Sequence, residues 1–171
     1  MSDVESCAVC GFEWDAVRAG EVGPRIASAS SALAAALAGD PALVTVRPSS
    51  ERWSALEYGA HVRDVLLNVR DRLFVGLAED DPTLKPMYRD VRIPFYEGES
   101  PQDVAAGLTV AAALFVRTFD ALTPEQLERT VVSAYPRESS RTLRWTGAQG
   151  LHEVEHHLTD ADDNIAGRAT A

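Results

Sequence analysis

The chain has 171 residues and a mass of 18.5 kDa, the size of one ordinary domain and enough to close an apolar core without disulfides. Hydrophobic residues at 46% and charged residues at 25% exclude a disordered or fibrous polymer. A net charge of -10, with the arginines scattered rather than gathered in a stripe, would repel a phosphate backbone and sets nucleic-acid binding aside.

The opening residues, MSDVES, lack the basic start and apolar middle of a secretory leader, and the longest apolar stretches fall far short of a membrane span. The expectation is a cytoplasmic protein with no membrane partner. One lysine, Lys85, stands against fifteen arginines amid abundant alanine, a bias that points to a high-GC bacterial source.

Near the N-terminus, Cys7-Ala8-Val9-Cys10-Gly11 is a C-x-x-C followed by glycine, a turn that often presents two thiolates to zinc. A second such pair is absent, so a structural zinc here would need His157 or a carboxylate to complete it; a redox disulfide is the rival reading, and it lacks the βαβ setting such chemistry normally uses. Residues 1–14 form this segment, 15–165 the main domain and 166–171 a tail.

The alanine-rich run from Asp15 to Ala38 predicts the first helix, stopped at Gly39-Asp40-Pro41. After a loop through Arg47-Pro48, the capping box Ser54-Ala55-Leu56-Glu57 opens a second helix, with Val62, Val65, Leu66, Val69, Leu73 and Leu77 at helical spacing. From Asp80 to Glu99 prolines and charges without a period predict a long surface connection, the kind of segment that carries function. Ser100 and Pro101 start a third helix through Val104, Leu108, Phe115 and Phe119. Thr123-Pro124-Glu125-Gln126 is a capping box for a short turn, and β-branched residues make Thr130 to Ser139 a candidate extended segment. The last helix begins between Thr142 and Thr146 and runs through Leu151, Val154, Leu158 and Ile165, despite Gly147 and Gly150. Four long helices without a succession of strands predict an all-α, antiparallel four-helix bundle with long crossover connections.

Three of the four histidines fall within His152-Glu153-Val154-Glu155-His156-His157. On a helix, positions four apart share a face, so His152 and His156 can bind one cation, with His157 well round from them. A third ligand must come from elsewhere, and His61, inside the second helix, is the remaining histidine. Neutral imidazoles suit zinc, nickel, copper or iron, and three ligands would leave coordination positions open for water or substrate. Asp64 or Asp160, each one turn from a histidine, could orient an imidazole through its other nitrogen. The bland alternative is a partly buried polar His61 and a solvated acidic face carrying the rest. The same run reads H-E-x-x-H, the metallopeptidase signature with Glu153 as the water-activating base, yet the glycine and third histidine of the metzincins do not follow His156.

Arg47-Pro48, Trp53-Ser54-Ala55-Leu56-Glu57-Tyr58, His61-Val62-Arg63-Asp64, and His152-Glu153 with His156-His157-Leu158 and Asp160 resemble, in order and spacing, the DinB-like superfamily of four-helix metal proteins. The resemblance covers Asp15 to Ile165. It implies a metal triad of one histidine on the second helix and two ligands four apart on the last, carried over onto His61, His152 and His156. It also implies kinship with thiol-dependent transferases and isomerases that use mycothiol or bacillithiol. The expectation is therefore a metal-dependent thiol S-transferase or related enzyme, with mycothiol as cosubstrate and a small-molecule thiol or electrophile as partner. Zinc is the first expectation for the metal, with nickel, iron or manganese behind it, and a homodimer is left open. A non-catalytic, stress-associated metal-binding protein is the alternative, and a metallopeptidase ranks below both.

Overall fold

A computed structural model describes residues 5–133 and 138–169. Four long helices make the body: α1 (Ala19–Leu37), α2 (Ala55–Ala78), α3 (Pro101–Asp120) and α4 (Leu143–Ala169). Each of α1 and α2 packs against both α3 and α4, while direct contact of α1 with α2 is sparse. The chain thus crosses the bundle diagonally between α1 and α2 and again between α3 and α4, and the one-turn helices Pro41–Val44 and Pro124–Leu127 ride on those two connections. This is a four-helix bundle with crossover connections, as the sequence predicts.

Local chemistry sets the helix starts. Ser54 and Glu57 exchange side-chain and backbone hydrogen bonds at 3.2 and 2.8 Å, satisfying two donors at the head of α2. Ser100 Oγ accepts from the Asp103 amide at 3.1 Å and Pro101 takes the first helical position of α3. The first helix begins later than predicted: Trp14–Ala16 form a separate 3-10 turn, and α1 starts at Ala19 after Val17 and Arg18 turn extended. Glu21 accepts from the Arg18 backbone amide at 3.0 Å and defines this start. Pro24 lies inside α1, where the carbonyl it leaves unpaired belongs to exposed Gly20. At the other end, α4 continues past Ile165 to Ala169.

The core is the inner stripe of each helix: Ile26, Leu33 and Leu37; Val62, Leu66, Val69 and Leu73; Leu108, Phe115 and Phe119; Leu143, Leu151 and Val154. Each such side chain contributes about 1.5–3 kcal/mol through removal from water.

The candidate extended segment forms a two-stranded antiparallel hairpin, β1 (Thr130–Ser133) and β2 (Ser139–Thr142), with Thr130 opposite Thr142. Residues 134–137, within that segment, lie outside the described residues. Val132 also trades backbone hydrogen bonds of 2.9 Å with Pro82 and Leu84, which ties the connection after α2 to the hairpin. That connection is partly helical, with turns at Arg89–Arg92 and Ile93–Phe95, and it walls one side of the bundle mouth. No helix among the described residues is long and apolar enough to cross a membrane.

Candidate metal centres

His61 sits on α2 and is 4% exposed; His152, Glu153, His156 and His157 follow one another on α4. The bundle divides these side chains differently from the sequence-predicted triad. His61, Glu153 and His157 converge, each offering a donor atom within 4.8 Å of the others. Glu153 Oε2 stands 3.4 Å from His61 Nε2 and 3.5 Å from His157 Nε2, so two imidazoles and a carboxylate point at one spot. His152 and His156 instead converge with Cys7 and Cys10, again within 4.8 Å. No group of metal-ligating side chains among the described residues joins His61 to His152 or His156.

The reason is helix rotation. The run from His152 to His157 contains two interleaved pairs at i and i+4, and one residue along a helix turns a side chain by about 100°. The buried positions Leu151, Val154 and Ala161 define the stripe of α4 that faces the core. Glu153 and His157 flank that stripe on the side of α2, whereas His152 and His156 lie on the far side. His152 is nonetheless buried because the N-terminal segment covers it, with the Phe12 and Trp14 rings 5.2 and 4.9 Å from its own. The apolar stripe of α4 was the signal that separates the two pairs. His157, paired with the cysteines in the sequence reading, belongs on geometry with His61.

Surrounding groups orient the first centre. Asp160 Oδ2 is 2.9 Å from His157 Nδ1 and 3.6 Å from His156 Nε2, so it lies nearer to His157 than to the histidine one turn before it. A neutral His157 that directs its Nδ1 proton at Asp160 would turn an Nε2 lone pair toward the centre, and a cation bound there would displace the proton that Glu153 and Asp160 otherwise favour on the ring. Gln149 Nε2 donates to Glu153 Oε1 at 2.8 Å, and Trp14 Nε1 donates to Gln149 Oε1 at 2.6 Å. Gln149 lies one turn before Glu153, a spacing that could have nominated it. Tyr58 stacks on His157 with ring centroids 5.1 Å apart, and Trp53 meets His61 edge-on at 5.2 Å, so these aromatics wall the centre as well as pack the bundle. Asp64 is engaged elsewhere, accepting from Arg63, Arg92 and Tyr96 at 3.0–3.2 Å.

Electrostatics follow this wiring. Burial disfavours a charge on Glu153, but the imidazoles of His152, His157 and His61 hold its carboxyl well below the usual range. Burial likewise opposes protonation of His157, yet Asp160 and Glu153 outweigh it and push the imidazole up to about 8. His61, buried with only Glu153 as a favourable neighbour, is pushed down. Burial also opposes ionisation of Cys7, yet backbone amides at Cys10 and Val9 and the nearby His152 ring bring its thiol down to about 7.

A cavity of about 400 Å³ opens onto the first centre, lined by His61, Glu153, Gln149, Arg72, Met87 and Tyr88 among others. Arg72 lies eleven residues after His61 on α2, three turns along the same face. Its Nη2 donates to the Lys85 carbonyl at 3.0 Å, while its buried Nε has no hydrogen-bond partner and its charge is disfavoured by burial. The donor set suits a divalent cation: two imidazole nitrogens and one carboxylate oxygen are the donor types of reactive zinc sites.

Comparison with solved structures places this fold beside two proteins. YfiT from Bacillus subtilis, described as a probable metal-dependent hydrolase with an unusual four-helix bundle topology, aligns with a TM-score of 0.79 and 15% identity, covering 97% of this chain and 91% of its own. The mycothiol-dependent maleylpyruvate isomerase aligns with a TM-score of 0.70 and 16% identity over 88% of this chain, which spans only 63% of that protein. No curated protein sequence matches. A family model for the DinB superfamily matches residues 26–161, a span that contains all four bundle helices in whole or large part and every donor of the first centre. The chain belongs to the DinB superfamily.

Proposed function

We propose that this protein is a metal-dependent enzyme acting on a small-molecule thiol, an S-transferase or close relative of mycothiol type, with the metal held by His61, Glu153 and His157. The observation that carries the reading is a three-donor set of which two members, His61 and Glu153, line a cavity of about 400 Å³. Three protein donors leave coordination positions free for a substrate atom. A divalent metal there supplies stabilisation of a thiol as its thiolate at neutral pH.

The chain's own groups bind and orient. Asp160 fixes the His157 ring, and Gln149 holds Glu153 Oε1 so that Oε2 faces the imidazoles. Arg72, with an unpaired Nε–H at the cavity wall, offers a charge-assisted hydrogen bond to an acidic group of the substrate. The fold likeness to a mycothiol-dependent isomerase supports this thiol, and the arginine-rich, alanine-rich composition supports a high-GC bacterial source in which such a thiol would be met. Zinc is the metal favoured by the donor set, ahead of nickel, iron or manganese. The likeness to YfiT over nearly the whole chain favours, as a second reading, hydrolysis at the same centre.

The deciding experiment incubates zinc-loaded protein with mycothiol and a carboxylate-bearing alkylating agent. Metal-dependent formation of the thioether, detected by mass spectrometry and lost in Glu153→Gln, is the expected result. No acceleration over the metal-free protein refutes thiol transfer, and metal-dependent cleavage of an ester or amide panel in its place establishes the hydrolase. A related outcome concerns Asp160: in Asp160→Asn the centre should bind zinc about 10–100-fold more weakly in competition with a chelator, the cost typical of losing a partner that orients a ligand.

A further inference from the structure

We propose that Cys7, Cys10, His152 and His156 form a second, structural zinc site that clamps the N-terminal segment onto α4. The four side chains bring two sulfurs and two imidazole nitrogens within 4.8 Å of one another, from opposite ends of the chain. Two thiolates and two imidazoles are a complete tetrahedral set, and the spacings, two residues between the cysteines and three between the histidines, are those of structural zinc sites. On binding, both thiols release their protons to water, and two thiolates neutralise the dication, so the filled site carries no net charge beside the buried His152.

Independent features point the same way. The cysteines sit in a tight knuckle: the Gly11 amide donates to the Cys7 carbonyl and the Cys7 amide to the Phe12 carbonyl, each at 2.8 Å, with Gly11 at φ +72 closing the turn. His152 Nε2 is buried with no hydrogen-bond partner, its Nδ1 stands 3.7 Å from Glu153 Oε1, beyond hydrogen-bond length, and His156 Nδ1 is also buried and unpaired. Buried polar atoms are costly to leave without partners, and coordination would give one nitrogen of each ring a partner. Among the described residues, the segment is otherwise tied to the bundle by an ion pair of Glu5 with Arg141 at 2.6 Å, the Trp14–Gln149 hydrogen bond, and the packing of the Phe12 and Trp14 rings against Arg25, Trp145 and His152.

The clamp also reaches the first centre. Trp14, four residues beyond Cys10, holds Gln149, which holds Glu153. The closed set further explains why H-E-x-x-H here is not a peptidase motif: its two histidines face the cysteines, and its glutamate faces His61 and His157.

The test loads the full-length, reduced protein with cobalt(II) as a spectroscopic probe and zinc for elemental analysis. Wild type should bind two ions per chain and show an intense thiolate-to-cobalt charge-transfer band. Cys7→Ser/Cys10→Ser should bind one, lose the band and melt at lower temperature with its helical circular dichroism kept. His61→Ala should also bind one ion but retain the band. Absence of a thiolate band in reduced, cobalt-saturated wild type overturns the proposal. So does alkylation of both cysteines at the same rate with and without zinc, or a Cys7–Cys10 disulfide in protein purified with zinc and reductant.

Discussion

His157→Ala should abolish tight binding of zinc at the His61 centre, whereas His152→Ala should leave it in place, when both are measured in a Cys7→Ser/Cys10→Ser background. In that background the cysteine site is disabled, so chelator competition reads the first centre alone. Removal of His157 takes one of three donors and strands Asp160 without its imidazole partner. The loss should exceed the roughly 10–100-fold expected when only an orienting neighbour is removed. His152 is not among the donors of this centre, and its Nδ1 stands 3.7 Å from Glu153 Oε1. The two substitutions remove the same chemical group, on adjacent faces of one helix, and differ by the rotation that five residues impose. Equal loss in both variants, or greater loss in His152→Ala, would restore the His61–His152–His156 set and retire the arrangement described above.

How far the sequence leads can be judged on these same residues. Helix starts were legible at Ser54, Ser100 and Thr123, where the capping bond is local and its partners lie three residues apart, whereas Asp40, which caps Pro41–Val44, was read only as a stop. The start of α1 was less legible, since Arg18 with Glu21 does not resemble a standard cap. The hairpin at Thr130–Thr142 was legible as extended character but not as a pair, for its register depends on contacts with Leu84 and Gly76 that are distant in sequence. At the site, i and i+4 spacing announced a metal-binding face but fitted two pairs equally well. Choosing between them requires the rotation of α4 about its axis, which packing of Leu151, Val154 and Ala161 fixes. Arg72 was not singled out because fifteen arginines are indistinguishable by type, and only its position three turns from His61 sets it apart.

Gly147→Ala should destabilise the bundle by about 1–3 kcal/mol, although alanine is the better helix former by nearly 1 kcal/mol. A Cβ at this position would lie well inside van der Waals contact with three atoms of the Phe119 ring, which is itself buried and stacked on Phe115 with centroids 5.8 Å apart. The glycine that weakens α4 as an isolated helix is therefore what lets α3 and α4, diagonal partners in the bundle, bring an aromatic ring against backbone. Phe119→Ala should cost more, about 3–5 kcal/mol, as a large buried side chain is lost and a cavity left. The decisive quantity is the double variant. Removing the ring frees the space the new methyl needs, so Phe119→Ala/Gly147→Ala should be more stable than the sum of the single costs implies, and alanine at 147 should become neutral or favourable in that background. Urea unfolding midpoints of the four proteins measure the cycle. Strict additivity, or a Gly147→Ala variant more stable than wild type, would mean that ring and backbone do not meet as described.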